Sequence, residues 1–352
     1  MFAYCKMGAQ FFAGQMKPKI CIFFCGGTMV MVPNAQGVLV PPSKENALHS
    51  VLSLEPRLHG LADIDLEFIA NIDSSDMTPD IWDRLVTSIA KSYSHYDGFV
   101  VLHGTDTMAY TASAVSFALR NLGKPVVFTG AQIPGHQLES DARRNLVNAV
   151  RLACMDVAGV MLVMGEKILL GVRSSKISHS KLNAFASFNW PKLGEVGRQI
   201  QILREVQHKQ GQDLRLEEGF VSEIAVLSLA PGMPASVLDH LLSQGVKGIV
   251  INAYGTGNIP QIYLPSLERA RDKNIPIVIR TQCPEGSTQM SVYATGKQAL
   301  ECGAIEAFDM SLESTITKLM WALKRAKTIE EIKTIMHHNY AGEINSDGER
   351  AY

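Results

Sequence analysis

The sequence predicts an α/β protein with a large, mostly parallel sheet followed by a second, smaller α/β unit. Through the first half, short apolar runs alternate with amphipathic segments, which is typical of a parallel sheet covered by helices on both faces. Between about residues 194 and 218 the chain turns polar and rich in glutamine, which indicates a boundary. A chain of 352 residues is long enough for two such units.

The first strand is the clearest element, because an unbroken apolar run from Ile20 to Cys25 ends at a pair of glycines. Similar patterns follow along the chain. In the first half we expect strands at 66–72, 98–102, 125–129 and 159–164, and helices at 43–54, 78–93, 108–122 and 140–154. In the second we expect strands at 224–229, 248–252 and 275–280, and helices at 235–244, 264–273, 312–324 and 329–337.

These patterns divide the chain into four parts. Residues 1–15 are expected to be a leader or an extension, because Met16 followed by Lys-Pro-Lys is a more natural start. The predicted amino-terminal domain covers 16–200, a linker covers 201–222, and the carboxyl-terminal domain covers 223–352.

The charge balance limits the class of partner. The net charge is -1, from 33 basic and 34 acidic residues without a long run of one sign. This argues against nucleic acid or a membrane as the main partner and favours a small neutral or zwitterionic molecule. The six cysteines are scattered without metal-finger spacing, so we expect reduced thiols and a cytoplasmic protein.

Two hydroxyl residues follow buried strands in the same way. Thr28 comes after the glycine pair, and Thr105-Asp106 follows the strand 98–102 and a single glycine. Because parallel strands end at one edge of a sheet, Thr28 and Thr105 are expected to face each other across a crevice. A hydroxyl there can act as a nucleophile. The alternatives are a turn threonine at 28, and a helix cap at Asp106 or Thr107.

Two further features suit a polar ligand. Asp73, Ser74 and Ser75 follow the strand 66–72, where short polar side chains and turn amides would bind a carboxylate. The alternative is an ordinary polar turn. Lys176, if brought next to Asp106 and partly desolvated, can act as a base on Thr105. A solvated surface position is the commoner role for a lone lysine.

The ordered blocks around these residues resemble those of the L-asparaginase family, most closely its cytosolic type I branch. The resemblance runs from about residue 18 to the end and is specific, because many blocks occur in the right order. The blocks are Cys-Gly-Gly-Thr-Met at 25–29, Asp-Ser-Ser-Asp-Met-Thr-Pro at 73–79, His-Gly-Thr-Asp-Thr at 103–107, Thr-Gly-Ala-Gln-Ile-Pro at 129–134, Asn-Ala-Tyr-Gly-Thr-Gly-Asn at 252–258, Thr-Gln-Cys at 281–283 and Tyr-Ala-Thr-Gly at 293–296.

The resemblance implies a Rossmann-like amino-terminal domain and hydrolysis of L-asparagine to L-aspartate and ammonia without metal or organic cofactor. It also implies a homodimer or homotetramer with sites between subunits. The implied residues, carried over by position, are the nucleophile Thr28, the second catalytic group Thr105, Asp106 and Lys176, the substrate-binding residues Asp73, Ser74, Ser75, Thr105 and Asp106, and the regulatory candidates Asn252, Thr281 and Cys283.

One position departs from the family pattern. In the family a loop after the first threonine carries a tyrosine whose hydroxyl polarises that threonine, and Val38 stands there in this chain. Valine has no donor for this role. The sequence therefore leaves three outcomes open: a working asparaginase, an enzyme that is slow or shifted to another small amide, and a catalytically impaired asparagine-binding sensor.

Overall fold

The computed structural model describes residues 17–211 and 213–345, so the expected extension at 1–15 lies outside the described residues. It confirms the predicted α/β architecture, with a large sheet followed along the chain by a smaller one. Among the helices of the described ranges, none is both long and apolar enough to span a membrane.

The region of residues 19–202 contains the large sheet, the helices that cover it and several short strands outside that sheet. Its strands are β1 (Lys19–Gly26), β2 (Val32–Pro33), β3 (Leu39–Val40), β4 (Asp63–Ile72), β5 (Gly98–Leu102), β6 (Leu119–Arg120), β7 (Pro125–Thr129), β8 (Gly159–Met164), β9 (Lys167–Leu170), β10 (Ser175–Lys176), β11 (Phe185–Ala186), β12 (Gly194–Val196) and β13 (Ile200–Ile202). Its α-helices are α1 (Lys44–Leu54), α2 (Pro79–Ser92), α3 (Met108–Ala118) and α4 (Ala142–Ala153).

The large sheet, built within residues 19–202, runs in the order β13-β12-β9-β8-β7-β5-β1-β4. The neighbouring strands from β8 to β4 are parallel. Strands β9, β12 and β13 add an antiparallel edge that the alternation of strands and helices did not predict. Because β5 and β7 are buried along their whole length, they appear in the sequence as continuous apolar runs.

Strand β1 lies where the direction of the chain across the sheet reverses. It pairs with β4 on one side and β5 on the other, so the chain passes back across β1 between them. Helices α1 and α4 cover one face of the sheet, and α2 and α3 cover the other. In open α/β sheets, ligands bind beside such a reversal at the carboxyl ends of the strands. The fold therefore directs attention to the ends of β1, β4 and β5.

The second half forms the smaller unit. Its strands are β14 (Arg215–Leu216), β15 (Ile224–Ser228), β16 (Gly248–Ala253), β17 (Ile277–Thr281) and β18 (Ile305–Glu306), and its helices are α5 (Ser236–Ser243), α6 (Leu264–Asp272), α7 (Ala294–Glu301), α8 (Leu312–Arg325) and α9 (Ile329–His337). Strands β15 to β18 are parallel and adjacent in chain order. Helices α5, α6 and α7 pack on one face, and α8 and α9 pack on the other.

The two halves are joined by strand pairing as well as by the chain itself. The helix predicted over 108–122 ends at Ala118, because the next two residues form β6 and pair with β14. Strand β14 lies inside the proposed linker 201–222. Trp321 on α8 donates from Nε1 to the Glu217 carbonyl at 3.0 Å, which fixes the linker against the second unit.

Candidate active site

The strand ends at the site are in direct backbone contact. Gly27 has φ +103°, and a Cβ there would lie 2.6 Å from the Cα of Gly104. A Cβ on Gly104 would in turn lie 2.6 Å from the Ser74 Oγ. Because glycine alone permits these approaches, the ends of β1, β5 and β4 meet at one point. Thr28 follows Gly27 and Thr105 follows Gly104, so both residues lie with Ser74 at this edge of the sheet.

Lys176 contacts both members of the Thr105-Asp106 pair. Its Nζ lies 2.8 Å from the Thr105 Oγ1 and 2.5 Å from the Asp106 Oδ1. The Lys176 side chain is 18% exposed and that of Asp106 is 61% exposed, so the carboxylate stands at the mouth and the amine lies behind it. The alternative of a solvated surface lysine is therefore wrong. A buried hydroxyl that is hydrogen-bonded to an amine can pass a proton during catalysis.

Gln132 completes this group, and the sequence pattern assigned it no role. The Thr105 hydroxyl donates to the Gln132 Oε1 at 3.1 Å. The Gln132 Nε2 donates to the carbonyls of Ser178 and Lys181, which determines which end of the amide faces Thr105. The only signal in the sequence was the block at 129–134, which contributes to the family resemblance but indicates no function for its glutamine.

The cap expected as an alternative at Asp106 or Thr107 is absent from the described structure. Thr107 occupies the N-cap position of α3 without a side-chain capping bond. Its hydroxyl donates to the Ser74 carbonyl at 2.7 Å, and the Asp106 N–H donates to the Ser74 Oγ at 3.2 Å. These bonds tie the end of β4 to the end of β5, so both residues serve the site.

Asp73 and Ser75 form a local turn beside the site. The Asp73 Oδ1 accepts from the Ser75 N–H at 2.9 Å and from the Ser75 hydroxyl at 2.8 Å. Both residues are exposed, whereas Ser74 between them is buried. The polar-turn interpretation thus describes the local geometry, and it leaves both Asp73 and Ser75 exposed to solvent.

Thr28 begins a single turn of 3-10 helix at Thr28–Val30, and Gly27 rather than Thr28 occupies its cap position. Its backbone carbonyl accepts from the Met31 N–H at 3.2 Å. The residue is half-buried. Within the described ranges the Thr28 hydroxyl makes no intramolecular hydrogen bond, so the alternative of a capping threonine finds no support in the geometry.

Comparison with known proteins identifies the family of the chain. Residues 19–208 match the model of the asparaginase amino-terminal domain, and residues 223–336 match that of the glutaminase/asparaginase carboxyl-terminal domain. The chain belongs to the asparaginase family. It is 39% identical over 338 residues to L-asparaginase 1 of Escherichia coli K12, an alignment that covers 94% of this chain and 99% of that relative.

Two further relatives show the breadth of the family. A subunit of the glutamyl-tRNA(Gln) amidotransferase of Pyrococcus abyssi is 35% identical over 339 residues, which cover 93% of this chain and 77% of that relative. The solved structure of the thermostable L-asparaginase from Thermococcus kodakarensis superposes with a TM-score of 0.85 at 34% identity. That match covers 93% of this chain and 99% of the other.

The loop that carries a tyrosine in the asparaginase family is a short hairpin here. Strands β2 and β3 pair antiparallel, and the Asn34 side chain accepts from the N–H groups of Gln36 and Val38, both at 3.0 Å. Val38 is 58% exposed at the turn. The hairpin therefore presents an apolar side chain to solvent where the family pattern places a hydroxyl.

The strand that bears Lys176 is held by the second unit. Arg173 is buried, donates from Nη1 to the Asp309 Oδ2 at 2.7 Å, and donates from Nε to the Gly342 carbonyl at 2.6 Å. Ser175 donates to the Glu313 Oε2 at 2.8 Å, and burial raises the pKa of that carboxyl. Because these contacts hold the residues just before the lysine, its position depends on the start of α8.

The regulatory candidates lie at the ends of β16 and β17. Asn252 and Thr281 are buried, and Cys283 is exposed. Asn252 donates to the Ser228 Oγ at 2.8 Å and accepts from the Arg280 Nη1 at 3.0 Å. The Thr281 Oγ1 accepts from the Cys283 N–H at 3.0 Å. The structure groups the three candidates but makes no direct contact between them and Lys176 in the described residues.

The pH dependence of folding should report on His103, which is buried beside Thr105. Burial lowers the pKa of His103 to about 4 from its ordinary 6.5. Between these values the unfolded chain binds a proton that the folded chain does not, so stability falls as pH falls below 6.5. We expect this group to lower the free energy of unfolding by about 2 kcal/mol between pH ~7 and pH ~5, as measured by urea unfolding. In the variant His103→Gln, the free energy of unfolding should depend less on pH over this range. The same dependence on pH in the variant and the wild type would contradict the attribution of this effect to His103.

Proposed function

We propose that the protein hydrolyses the side-chain amide of L-asparagine to L-aspartate and ammonia, with Thr28 as the nucleophile. The observation that carries the proposal is the contact of the Lys176 Nζ with both the Thr105 Oγ1 and the Asp106 Oδ1, at the edge where Gly27 touches Gly104. That edge also carries Thr28. Membership of the asparaginase family supports the same class of reaction.

The proposed reaction proceeds in two steps. The Thr28 oxygen forms a bond to the amide carbon, its proton is taken up by the site, and the C–N bond breaks as the nitrogen leaves protonated as ammonia. Water then attacks the acyl-enzyme, aspartate leaves and Thr28 regains its proton. Thr105 and Lys176 move the protons, and backbone N–H groups at the glycine turns stabilise the oxyanion. Direct attack by water is the alternative path.

Substrate recognition is proposed for the residues around this group. The hydroxyls of Ser74 and Ser75 bind the α-carboxylate of asparagine, and the carboxylates of Asp73 and Asp106 bind its α-ammonium. Asp106 is well placed for the second role because more than half of its side chain is exposed at the mouth of the site. Opposite charges at the two ends would orient the side-chain amide toward Thr28 and Thr105.

The wider setting is proposed on the resemblance and on the composition. We propose a homodimer or homotetramer in the cytoplasm that needs no cofactor, and regulation by a second asparagine near Asn252, Thr281 and Cys283. Neither nucleic acid nor a membrane is proposed as a partner. Some relatives are named as amidotransferase subunits, so release of free ammonia is the product that identifies a hydrolase.

The first test is ammonia release by the purified protein over a range of L-asparagine concentrations, paired with calorimetry of asparagine binding. Turnover that saturates with asparagine supports the proposal. Binding without turnover refutes the enzyme and favours the sensor, for which exposed Val38 is the specific observation. Absence of both binding and turnover refutes asparagine as the ligand.

Restoring a hydroxyl to the hairpin should raise activity. We expect Val38→Tyr to increase kcat by about tenfold or more, because one positioned proton-transfer group commonly contributes a factor of about 10² to 10⁴. The matched control is Val38→Phe, which supplies the ring without the hydroxyl. Equal effects of the two variants on ammonia release would show that the ring's bulk, and not its hydroxyl, matters.

A further inference from the structure

His103 is a buried imidazole that the proposed reaction does not use. The residue is 1% exposed and immediately precedes Gly104 and Thr105. Its Nδ1 lies 2.7 Å from the Gly104 carbonyl oxygen, and its Nε2 lies 2.8 Å from the Thr111 Oγ1. Both ring nitrogens therefore have a partner, one on the catalytic turn and one on α3.

For a neutral ring, the chemistry of the partners sets the direction of these hydrogen bonds, and the Thr107 carbonyl, at 3.4 Å, is a longer alternative acceptor for the Thr111 hydroxyl. A carbonyl oxygen can only accept, so the Nδ1 carries the proton and donates to Gly104. The Nε2 of the neutral ring then accepts, so the Thr111 hydroxyl donates to it. The Trp82 Nε1 can only donate, and it donates to the same Thr111 Oγ1 at 2.9 Å. The bonds thus run from Trp82 through Thr111 and His103 to the Gly104 carbonyl.

The last bond falls on a peptide group that has little freedom. Gly104 is confined by Gly27 on one side and by Ser74 on the other, at the distances where a Cβ would clash. The carbonyl that accepts from His103 belongs to the peptide bond between Gly104 and Thr105. The orientation of that peptide plane sets the direction of the Thr105 side chain, and an accepted hydrogen bond also strengthens the Thr105 N–H as a donor.

We propose that Trp82, Thr111 and His103 form a positioning chain that orients the Gly104–Thr105 peptide and so directs the Thr105 hydroxyl toward Lys176. The inference rests on the proposed function for its effect on turnover. None of the three residues touches the Lys176 amine, so each acts through the peptide and not on the substrate. Burial supports the neutral ring that the chain requires, because it lowers the pKa of His103 to about 4.

The kinetic test removes one hydroxyl from the middle of the chain. We expect Thr111→Val to lower kcat by roughly 10- to 100-fold, with KM changed by less than about threefold, because small misplacements of a catalytic group have effects of this size. Thr111→Ser keeps the hydroxyl and should return kcat to within about threefold of the wild-type value. Ser113→Ala is the matched control, since that buried hydroxyl on α3 bonds only to the Ala109 carbonyl in the described structure.

A loss of kcat in Thr111→Val no larger than that in Ser113→Ala would overturn the proposal, as would failure of Thr111→Ser to restore it. A second measurement is made on the wild-type protein and uses a variant only to assign one signal. The ¹⁵N spectrum of wild-type protein labelled at histidine should show His103 neutral at pH ~5, with the proton on Nδ1 and a bare Nε2. Its signal is assigned by its loss in His103→Gln. A proton on Nε2 would overturn the proposal.

If the wild-type protein releases no ammonia, the proposed function fails separately from this inference. Amide hydrogen exchange then replaces kinetics. Thr111→Val should speed exchange at Thr105 by about tenfold or more relative to Ser113→Ala, because the peptide loses its restraint. Equal exchange rates in the two variants would overturn the positioning role.

Discussion

Thr28→Ala is expected to abolish turnover of L-asparagine, with a loss in kcat of roughly 10⁴-fold or more, because removal of a catalytic nucleophile commonly has effects of this size. Thr28 follows Gly27, whose close approach to Gly104 leaves the residue at the edge that carries Thr105. Alanine preserves the backbone and removes only the attacking oxygen and one methyl group. The measurement is ammonia release, with asparagine binding followed by calorimetry to show that the site is intact.

Thr28→Ser is the matched variant for this prediction. It keeps the hydroxyl at the same position, so we expect activity to remain within about 100-fold of the wild-type value. If Thr28→Ala keeps a substantial share of the turnover, the attacking group is water activated by Thr105 and Lys176. If both variants are inactive while both still bind asparagine, the methyl group or local packing of Thr28, and not its oxygen alone, determines the rate.

The second large effect concerns stability and involves a buried ion pair. Lys318 and Glu343 are both 0% exposed, and the Nζ lies 2.6 Å from the Glu343 Oε1. The Nζ also donates to the carbonyls of Met336 and His338 at 2.9 and 2.7 Å, and the Glu343 carboxylate accepts from the Tyr340 and Ala341 N–H groups. The charge of Lys318 lowers the pKa of Glu343 although burial opposes it.

We expect Glu343→Gln to lower the free energy of unfolding by about 3–5 kcal/mol, because it leaves the Lys318 ammonium buried without its counter-charge. Urea unfolding measures the change. The double variant Lys318→Met/Glu343→Gln should recover more than half of the loss, since an unpaired buried charge costs more than the pair contributes. Glu330→Gln on the exposed side of α9 is the control and should stay within about 0.5 kcal/mol of wild type. If the double variant recovers none of the lost free energy of unfolding, the destabilisation comes from lost hydrogen bonds and not from the unpaired charge.

The sequence predicted the elements whose pattern is local. Strands β5, β7 and β8 begin and end where the apolar runs do, because burial on both faces requires a continuous apolar run. Helix α9 matches its predicted bounds, because a capping box identifies its first turn in the sequence. Strands β6 and β14 escaped prediction since their pairing joins residues about a hundred positions apart. Helix α7 and strand β18 also went unpredicted.

The residues of the candidate site also fall into two groups, those that the sequence pattern could place and those that it could not. Thr28, Ser74 and Thr105 could be expected at one edge, because each follows a parallel strand and the edge of the sheet is a consequence of topology. The contacts of Gln132 and His103 escaped the sequence, since the partners of an amide or imidazole side chain are set by the fold. The family resemblance had already grouped Lys176 with Asp106, whereas the geometry of their contact is seen only in the fold.

The anchoring of the Lys176 strand to the second unit has a consequence for synthesis of the protein on the ribosome. When residue 211 leaves the ribosome, all strands of the large sheet have been made, together with Thr28 and Thr105. Asp309 and Glu313 have not yet been made. Arg173 and Ser175 then have no acidic partners, so the lysine strand keeps its pairing with β11 but lacks its supports in the second unit. We therefore expect the position of Lys176 to become fixed only after the start of α8 has been translated and has docked, so that any activity that depends on this lysine appears late in synthesis.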